Sequence, residues 1–175
     1  MRIISAILIL LVFSSCFFNN EARDKKKIAL AEIECAQTIK INRLPISLYG
    51  YFPDEADSIH VKIKRDAKIV ENFIEKIPDQ ITDSLRHIRE YMLNREIMLT
   101  DTVFLRINRS TEKKVYNFRY LVRPHFTMLS SGWGCDFYEL TVDGKIEEGG
   151  DVHITKPGWD IINREDLKVY YTRGR

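Results

Sequence analysis

Alternation of apolar and polar residues is the clearest pattern along this chain, and it predicts β-strands. Ile59, Val61 and Ile63 alternate with one histidine and two lysines. Residues 103–108 and 116–123 alternate in the same way. Because successive side chains of a strand point to opposite faces of a sheet, this period of two indicates strands with one buried face.

Turn residues between the apolar runs predict how the strands connect. Residues 53–57, Pro-Asp-Glu-Ala-Asp, separate the apolar-aromatic run 46–52 from residues 59–64, which predicts a hairpin between these two segments. Asp143-Gly144 predicts a second hairpin, between residues 137–142 and a strand that begins at Lys145, because both positions of a two-residue turn favour positive φ.

One proline limits a predicted strand, and two further segments are additional strand candidates. Pro124 is expected to end the strand 116–122, because proline cannot donate to a sheet ladder. Residues 152–154 form a further short apolar alternation, and residues 168–172 are the last strand candidate.

The middle of the chain fits more than one structure. Apolar residues recur there at i, i+4, i+7 and i+11, which predicts an amphipathic helix of about three turns. These residues are Ile81, Leu85, Ile88 and Met92. Residues 69–77 fit either a strand or a helical turn, and Pro78 separates them from the helix candidate. The sequence leaves open whether residues 79–94 are helical.

Short strands separated by turn signals predict a mainly β fold, a single sandwich-like domain with a candidate central helix. The succession of strands resembles, as a pattern, the immunoglobulin-like or transthyretin-like sandwiches. A chain of 175 residues is long enough for one domain with a buried core. A fold of this class does not by itself fix a function.

The first sixteen residues have the composition of an export signal. Arg2 precedes the apolar run Ile3–Phe13, and two small residues, Ser14 and Ser15, follow it. This order is typical of a cleaved signal peptide. The run is shorter than the roughly 20 apolar residues that a membrane-spanning helix needs.

The stretch Phe13-Ser14-Ser15-Cys16 resembles the lipobox of bacterial lipoproteins, with Phe13 where that family usually has leucine. The resemblance implies that Cys16 becomes the first mature residue and carries acyl chains, such as palmitate, on its sulfur and amino group. It divides the chain into a signal peptide (1–15), a lipidated N-terminus with a flexible tether (16–27) and a β-rich domain (28–175). The alternative is an ordinary signal peptide in which Cys16 has no role.

The resemblance also implies a location in the cell envelope. Phe17 follows Cys16 where some lipoproteins carry an aspartate that retains them at the inner membrane. We therefore expect a lipid-anchored protein of the outer membrane that faces the periplasm. Its expected partners are the membrane, through the lipid, and a protein or a carbohydrate.

The charge balance gives no electrostatic reason to expect a nucleic-acid partner. Loss of residues 1–15 would remove only Arg2 among the charged residues, so that 26 of the 27 basic residues would remain beside 25 acidic ones. Proteins that bind nucleic acid through its phosphates usually have a marked basic excess.

Cys35 and Cys135 are the two cysteines that remain if Cys16 is lipidated. Export to an oxidising compartment favours a disulfide between them. Two buried, unpaired thiols are the alternative. A disulfide would tie the start of the β-rich domain to a segment near its end.

Sequence motifs of known chemistry are absent, so we predict no catalytic residue, metal ligand or cofactor. The chain has no Gly-x-Ser-x-Gly elbow, Walker loop or dinucleotide fingerprint. Trp133 lies between two glycines and Trp159 follows Pro157-Gly158. Each tryptophan is a candidate binding-loop residue that could stack on a sugar or anchor a partner; the alternative is that each packs over the core.

Three hypotheses of function follow from these patterns. The first is a membrane-anchored envelope lipoprotein whose β-sandwich binds a ligand or partner without catalysis. The second is an immunity or inhibitor protein that acts against an envelope-acting toxin or hydrolase. The third is a hydrolase with an unrecognised site, which predicts a cleft where a histidine and a carboxylate converge.

Overall fold

The predicted mainly β fold is confirmed. In the computed structural model, residues 23–82, 88–108, 112–126 and 131–159 are described, and they form one helix, α1 (residues 23–37), and eleven strands. The strands are β1 (Lys40–Ile41), β2 (Leu44–Tyr49), β3 (Ser58–Arg65), β4 (Lys68–Lys76), β5 (Ile88–Leu93), β6 (Ile97–Met98), β7 (Thr102–Ile107), β8 (Lys113–Phe126), β9 (Ser131–Val142), β10 (Lys145–Glu148) and β11 (Val152–Thr155).

Six strands form the largest sheet, in the order β10-β9-β8-β7-β3-β4. Strands β9 and β10 form the predicted hairpin, with Val142 opposite Lys145. Asp143 and Gly144 have φ of 48° and 87°, as a tight hairpin turn requires. The alternation in residues 59–64 and 103–107 is confirmed as the half-buried strands β3 and β7, where Val61 pairs with Leu105.

A second sheet contains three strands in the order β11-β2-β5. Its central strand, β2, pairs in parallel with β11 and antiparallel with β5. Leu44, Ile46 and Leu48 of β2 are at most 1 % exposed. Strands β1 and β6 form a separate two-stranded pairing. This arrangement of sheets is consistent with a sandwich-like domain.

The predicted hairpin between residues 46–52 and 59–64 is wrong. Strand β2 pairs with β5 and β11, whereas β3 pairs with β4 and β7 in the other sheet. The reason is visible in the pattern of β2, which is apolar at most positions. A nearly continuous apolar run is typical of a strand that is covered on both faces, and such a strand takes the centre of a sheet.

The candidate central helix is also wrong where the structure describes it. Residues 88–93 form strand β5, which pairs with all six residues of β2; residues 83–87 lie outside the described residues. The segment 69–77, which fitted a strand or a helical turn, is a strand over residues 69–76, which form most of β4. Pairing with β2 decides the structure of β5, because tertiary context overrides helical spacing in a short segment.

Two other boundaries differ from those predicted. Strand β8 continues through Pro124 to Phe126, so the proline does not end it. Residues 23–27 belong to helix α1, where a flexible tether was predicted. The strand candidate 168–172 lies outside the described residues.

Contacts along the chain divide it into two compact units. The first comprises Met1–Ile39 and Arg119–Tyr138, and the second comprises Lys40–Phe118 and Glu139–Arg175. In its described part, the first unit contains α1, residues 119–126 of β8 and residues 131–138 of β9. Within the described ranges, no helix has both the length and the apolar character needed to cross a bilayer.

Candidate functional site

An open pocket of about 350 Å³ lies in the second unit, on one face of the six-stranded sheet. The register of the strands places its residues together, because Lys64 is opposite Thr102 and Phe104 is opposite Lys114. The described residues that line it are Lys64, Asp66, Ala67, Thr100, Thr102, Phe104 and Lys114. We refer to this set as the lysine pocket.

Two lysine side chains lie near the aromatic ring of the lysine pocket, and a third lies near the ring of Tyr116. The ammonium groups of Lys62 and Lys64 each lie 5.8 Å from the centre of the Phe104 ring, within the range of a cation–π contact. Lys62 also forms an ion pair of 2.8 Å with Glu112. The Lys114 ammonium lies 4.7 Å from the ring centre of Tyr116.

A buried carboxylate fixes one wall of the lysine pocket. Asp101 lies between Thr100 and Thr102, and its side chain is 0 % exposed. It accepts hydrogen bonds of 2.8 Å from the Arg65 guanidinium and from the Met98 backbone N–H. The hydrogen bond to Asp101 also raises the pKa of Arg65. These bonds fix the segment that carries Thr100 and Thr102, and the residues that form them do not themselves line the pocket.

Ammonium groups, hydroxyl groups and one aromatic ring define the chemistry that this pocket can offer. Two lysines face one acidic residue, Asp66, among its lining residues. The arrangement suits an anionic ligand that also carries hydroxyl groups. These residues form no recognisable motif in the sequence, because an alternating strand shows which residues share a face but not which strand lies beside it.

The two candidate tryptophans lie in different surroundings. Trp133 lies within strand β9 and not on a loop, which corrects its predicted position. Trp159 lies on a loop, but its ring fills the space above Gly50, where even one added carbon would overlap it. Neither residue lines the lysine pocket.

Two of the described histidines each pair with a carboxylate. The hydrolase hypothesis predicts such a pair, located in a cleft. His125 Nε2 lies 2.6 Å from Asp136 Oδ2, and His153 Nε2 lies 2.6 Å from Asp151 Oδ2. His60 instead lies 2.6 Å from the amide oxygen of Asn72, and His87 lies outside the described residues. None of the three described histidines lines the lysine pocket, so the two His–Asp pairs and that pocket do not form one site.

The acidic end of β10 holds a carboxyl group whose pKa is perturbed. Burial raises the pKa of Glu147, although the His153 backbone N–H donates a bond of 3.2 Å to its carboxylate. In the residues that the structure describes, no three His, Cys, Asp or Glu side chains are gathered so that they could hold a metal ion.

The predicted disulfide is present in the first unit. Cys35 in α1 is bonded to Cys135 in β9. It connects the helix to the part of β9 that contains Trp133. Cys16, the predicted lipidation site, lies outside the described residues.

Comparison with known proteins found no match for the chain among protein-family models, curated proteins or solved structures.

Proposed function

We propose that this protein is a lipid-anchored lipoprotein of the bacterial envelope that binds an acidic saccharide, or a chemically similar anion, in the lysine pocket without catalysing a reaction. The observation that carries the proposal is the position of Lys64 and Lys114 on one open pocket beside Thr102 and Phe104.

The anchor is supported by the order of residues at the N-terminus. An apolar run, two serines and Cys16 come in the order that a lipobox has. Two or more acyl chains on a cysteine hold a protein firmly at a membrane, because each buried methylene group adds about 0.8 kcal/mol. The predicted outer-membrane location, facing the periplasm, belongs to this proposal.

The ligand class is supported by the pocket's chemistry. A carboxylate on the ligand would be attracted to the two ammonium groups, and sugar hydroxyls could bond to Thr100 and Thr102. An aromatic side chain beside such groups offers an apolar surface to the ring of a sugar. The attraction is exposed to water, so it provides selectivity for charge more than high affinity.

One experiment tests the anchor and a second tests the ligand class. Mass spectrometry of the N-terminus of the protein purified from membranes is expected to show acyl chains on Cys16, and an unmodified cut elsewhere would contradict the anchor. Titration calorimetry with trigalacturonic acid, in low salt, is expected to show binding. The methyl ester of that trisaccharide has the same rings without the charges, and equal binding of the two would contradict the proposed ligand class.

A second candidate, an immunity or inhibitor protein, is favoured by the edge strand β4. In the described sheet β4 has a neighbour on one side only, and its Ile69, Val70 and Ile74 are 56 %, 46 % and 69 % exposed. An exposed edge with apolar residues can pair with a strand of another protein. Protection of cells against an envelope hydrolase that is lost with Ile74→Lys, but not with Lys64→Gln, would favour this function.

A further inference from the structure

Helix α1 buries only a narrow apolar face. Ile28, Ala31 and Cys35 recur at i, i+3 and i+7, the spacing of one helix face. Ala31 is 2 % exposed, and Cys35 is bonded to Cys135. A helix that buries one face in this way normally carries polar residues on the opposite face.

The opposite face of α1 carries apolar residues as well. We call Ala29, Leu30, Ile33 and Ala36 the outer stripe. All four are exposed, and Leu30 and Ile33 are 58 % and 54 % exposed. Adjacent apolar side chains that face water on one side of a helix form a surface on which another apolar surface can bind.

Charged residues are distributed around the outer stripe according to sign. Lys26 comes four residues before Leu30 and seven before Ile33, so it lies at the N-terminal end of the stripe. Arg23 lies one turn nearer still to the N-terminus. Glu32 and Glu34 adjoin Ile33 and therefore point about 100° to either side of it.

We propose that the outer stripe lies on the bilayer that holds the acylated Cys16, with α1 parallel to the membrane surface. This inference rests on the proposed anchor. The stripe would enter the boundary between headgroups and acyl chains, as the apolar face of an interfacial helix does. Lys26 and Arg23 would meet lipid phosphates, and the two glutamates at the flanks would stay in water.

Chain length explains why the membrane, and not another surface, is the occupant. Seven residue steps separate Cys16 from Arg23, which span at most about 25 Å when fully extended. Helix α1, with residues 23–37, is about 22 Å long. The anchor thus keeps the helix within about one helix length of the headgroups, and the basic end of the stripe is the end nearest to the anchor.

A fluorescent probe at the centre of the outer stripe tests this placement. The mature lipidated protein carrying Ile33→Cys would be labelled with the dye NBD, without reduction so that the disulfide stays intact. It would then be reconstituted in vesicles of phosphatidylethanolamine and phosphatidylglycerol. Glu32→Cys is the matched control, because it is exposed on the same turn but points about 100° away.

The inference predicts blue-shifted emission at position 33, several times more intense than at position 32, with quenching by nitroxide-labelled lipids. Water-like emission at both positions would overturn it. Shielding at position 33 without quenching by the labelled lipids would also overturn it, because a protein or a second copy would then cover the stripe. Mass spectrometry of the same sample separates the two proposals: acyl chains on Cys16 with a water-exposed position 33 contradict the helix placement alone.

Discussion

Cys35 of α1 and Cys135 of β9 are bonded to each other across 100 residues of sequence, with their Cα atoms 5.3 Å apart. Among the described residues of the first unit, Ala31 is the one buried apolar residue, so the apolar core beside this bond is small. The disulfide therefore carries much of the stability of that unit.

Cys35→Ser should lower the free energy of unfolding by up to about 5 kcal/mol, the value of the chain-entropy model for a loop of this length. Urea denaturation without reductant, followed by circular dichroism, measures the change. Cys135→Ser and the double variant should lose the same amount, since each removes the same bond. A double variant that unfolds at the same urea concentration as the natural protein would contradict this assignment.

Arg89 is a fully buried cation that bonds to backbone carbonyl groups. It donates to the carbonyl oxygens of Phe52, Ala56 and Pro78, and burial lowers its pKa. These bonds join β5 to the turn after β2 and to the segment after β4.

Arg89→Lys should destabilise the protein by about 3 kcal/mol, because an ammonium group cannot reach all three carbonyl groups and leaves buried acceptors unpaired. Thermal unfolding measures the loss. Arg43→Lys, at an exposed position, is the control and should change stability little. Equal melting temperatures for the two variants would show that the bonds of Arg89 are not needed.

Gly50 is a position where both backbone and space require glycine. Its φ is 74°, and a Cβ there would overlap the ring of Trp159. Gly144 also has positive φ, of 87°, but an added Cβ there would meet nothing within 4 Å.

Gly144→Ala should therefore cost only the backbone strain, about 1–2 kcal/mol, whereas Gly50→Ala should cost more and displace Trp159. Urea unfolding gives the cost of each, and tryptophan fluorescence reports the displacement. Equal losses in the two variants, with unchanged fluorescence, would show that the Trp159 ring does not pack against Gly50.

Glu147 should make the protein less stable as the pH rises. Its pKa in the folded state is raised above the ordinary value of 4.5, chiefly by burial. The stability from its protonated form is thus fully present below pH 4.5 and is lost as the pH rises through the raised pKa. Nearby Asp151 adds to the increase, while His153 and Lys113 oppose it.

Glu147→Gln should become progressively more stable, relative to the natural protein, between pH 4 and pH 7. Melting temperatures of both proteins across that range measure the difference, in which the other titrating groups largely cancel. Parallel melting curves at all pH values would show that Glu147 does not titrate differently in the folded protein.

Neutralising a lysine of the lysine pocket should lower its affinity for an anionic ligand. Lys64→Gln and Lys114→Gln should each weaken binding of trigalacturonic acid by about two- to fivefold, the effect expected for a partly exposed charge. Lys68→Gln is the control, because Lys68 is exposed on the neighbouring strand β4 and does not line the pocket. Titration calorimetry compares them, and an equal loss in all three variants would point to the overall charge of the protein instead of this pocket.

Helix α1 is predictable from the sequence, although its residues 23–27 fall in the segment expected to be a flexible tether. Ile28, Ala31 and Cys35 have helical spacing, and the segment is rich in alanine, glutamate and lysine, which favour helices. This spacing and composition predict a helix over residues 28–35, which the division into a tether and a β-rich domain does not include.

The sequence by itself determined the features that depend on neighbouring residues. Alternation gave strands β3 and β7, and Asp143-Gly144 gave a hairpin, because side-chain direction and turn conformation are local properties. The pairing of Cys35 with Cys135 is not local: it follows from the lipobox resemblance, which assigns Cys16 to the lipid and leaves two cysteines.

Only the tertiary structure decided which strands became neighbours. It placed β2 between β5 and β11, turned residues 88–93 into a strand, and brought Lys64 and Lys114 to one pocket. The physical reason is that distant segments pair where they bury the most apolar surface together, and this depends on the whole chain. The pattern within a segment shows which face it buries, but not which segment will cover that face.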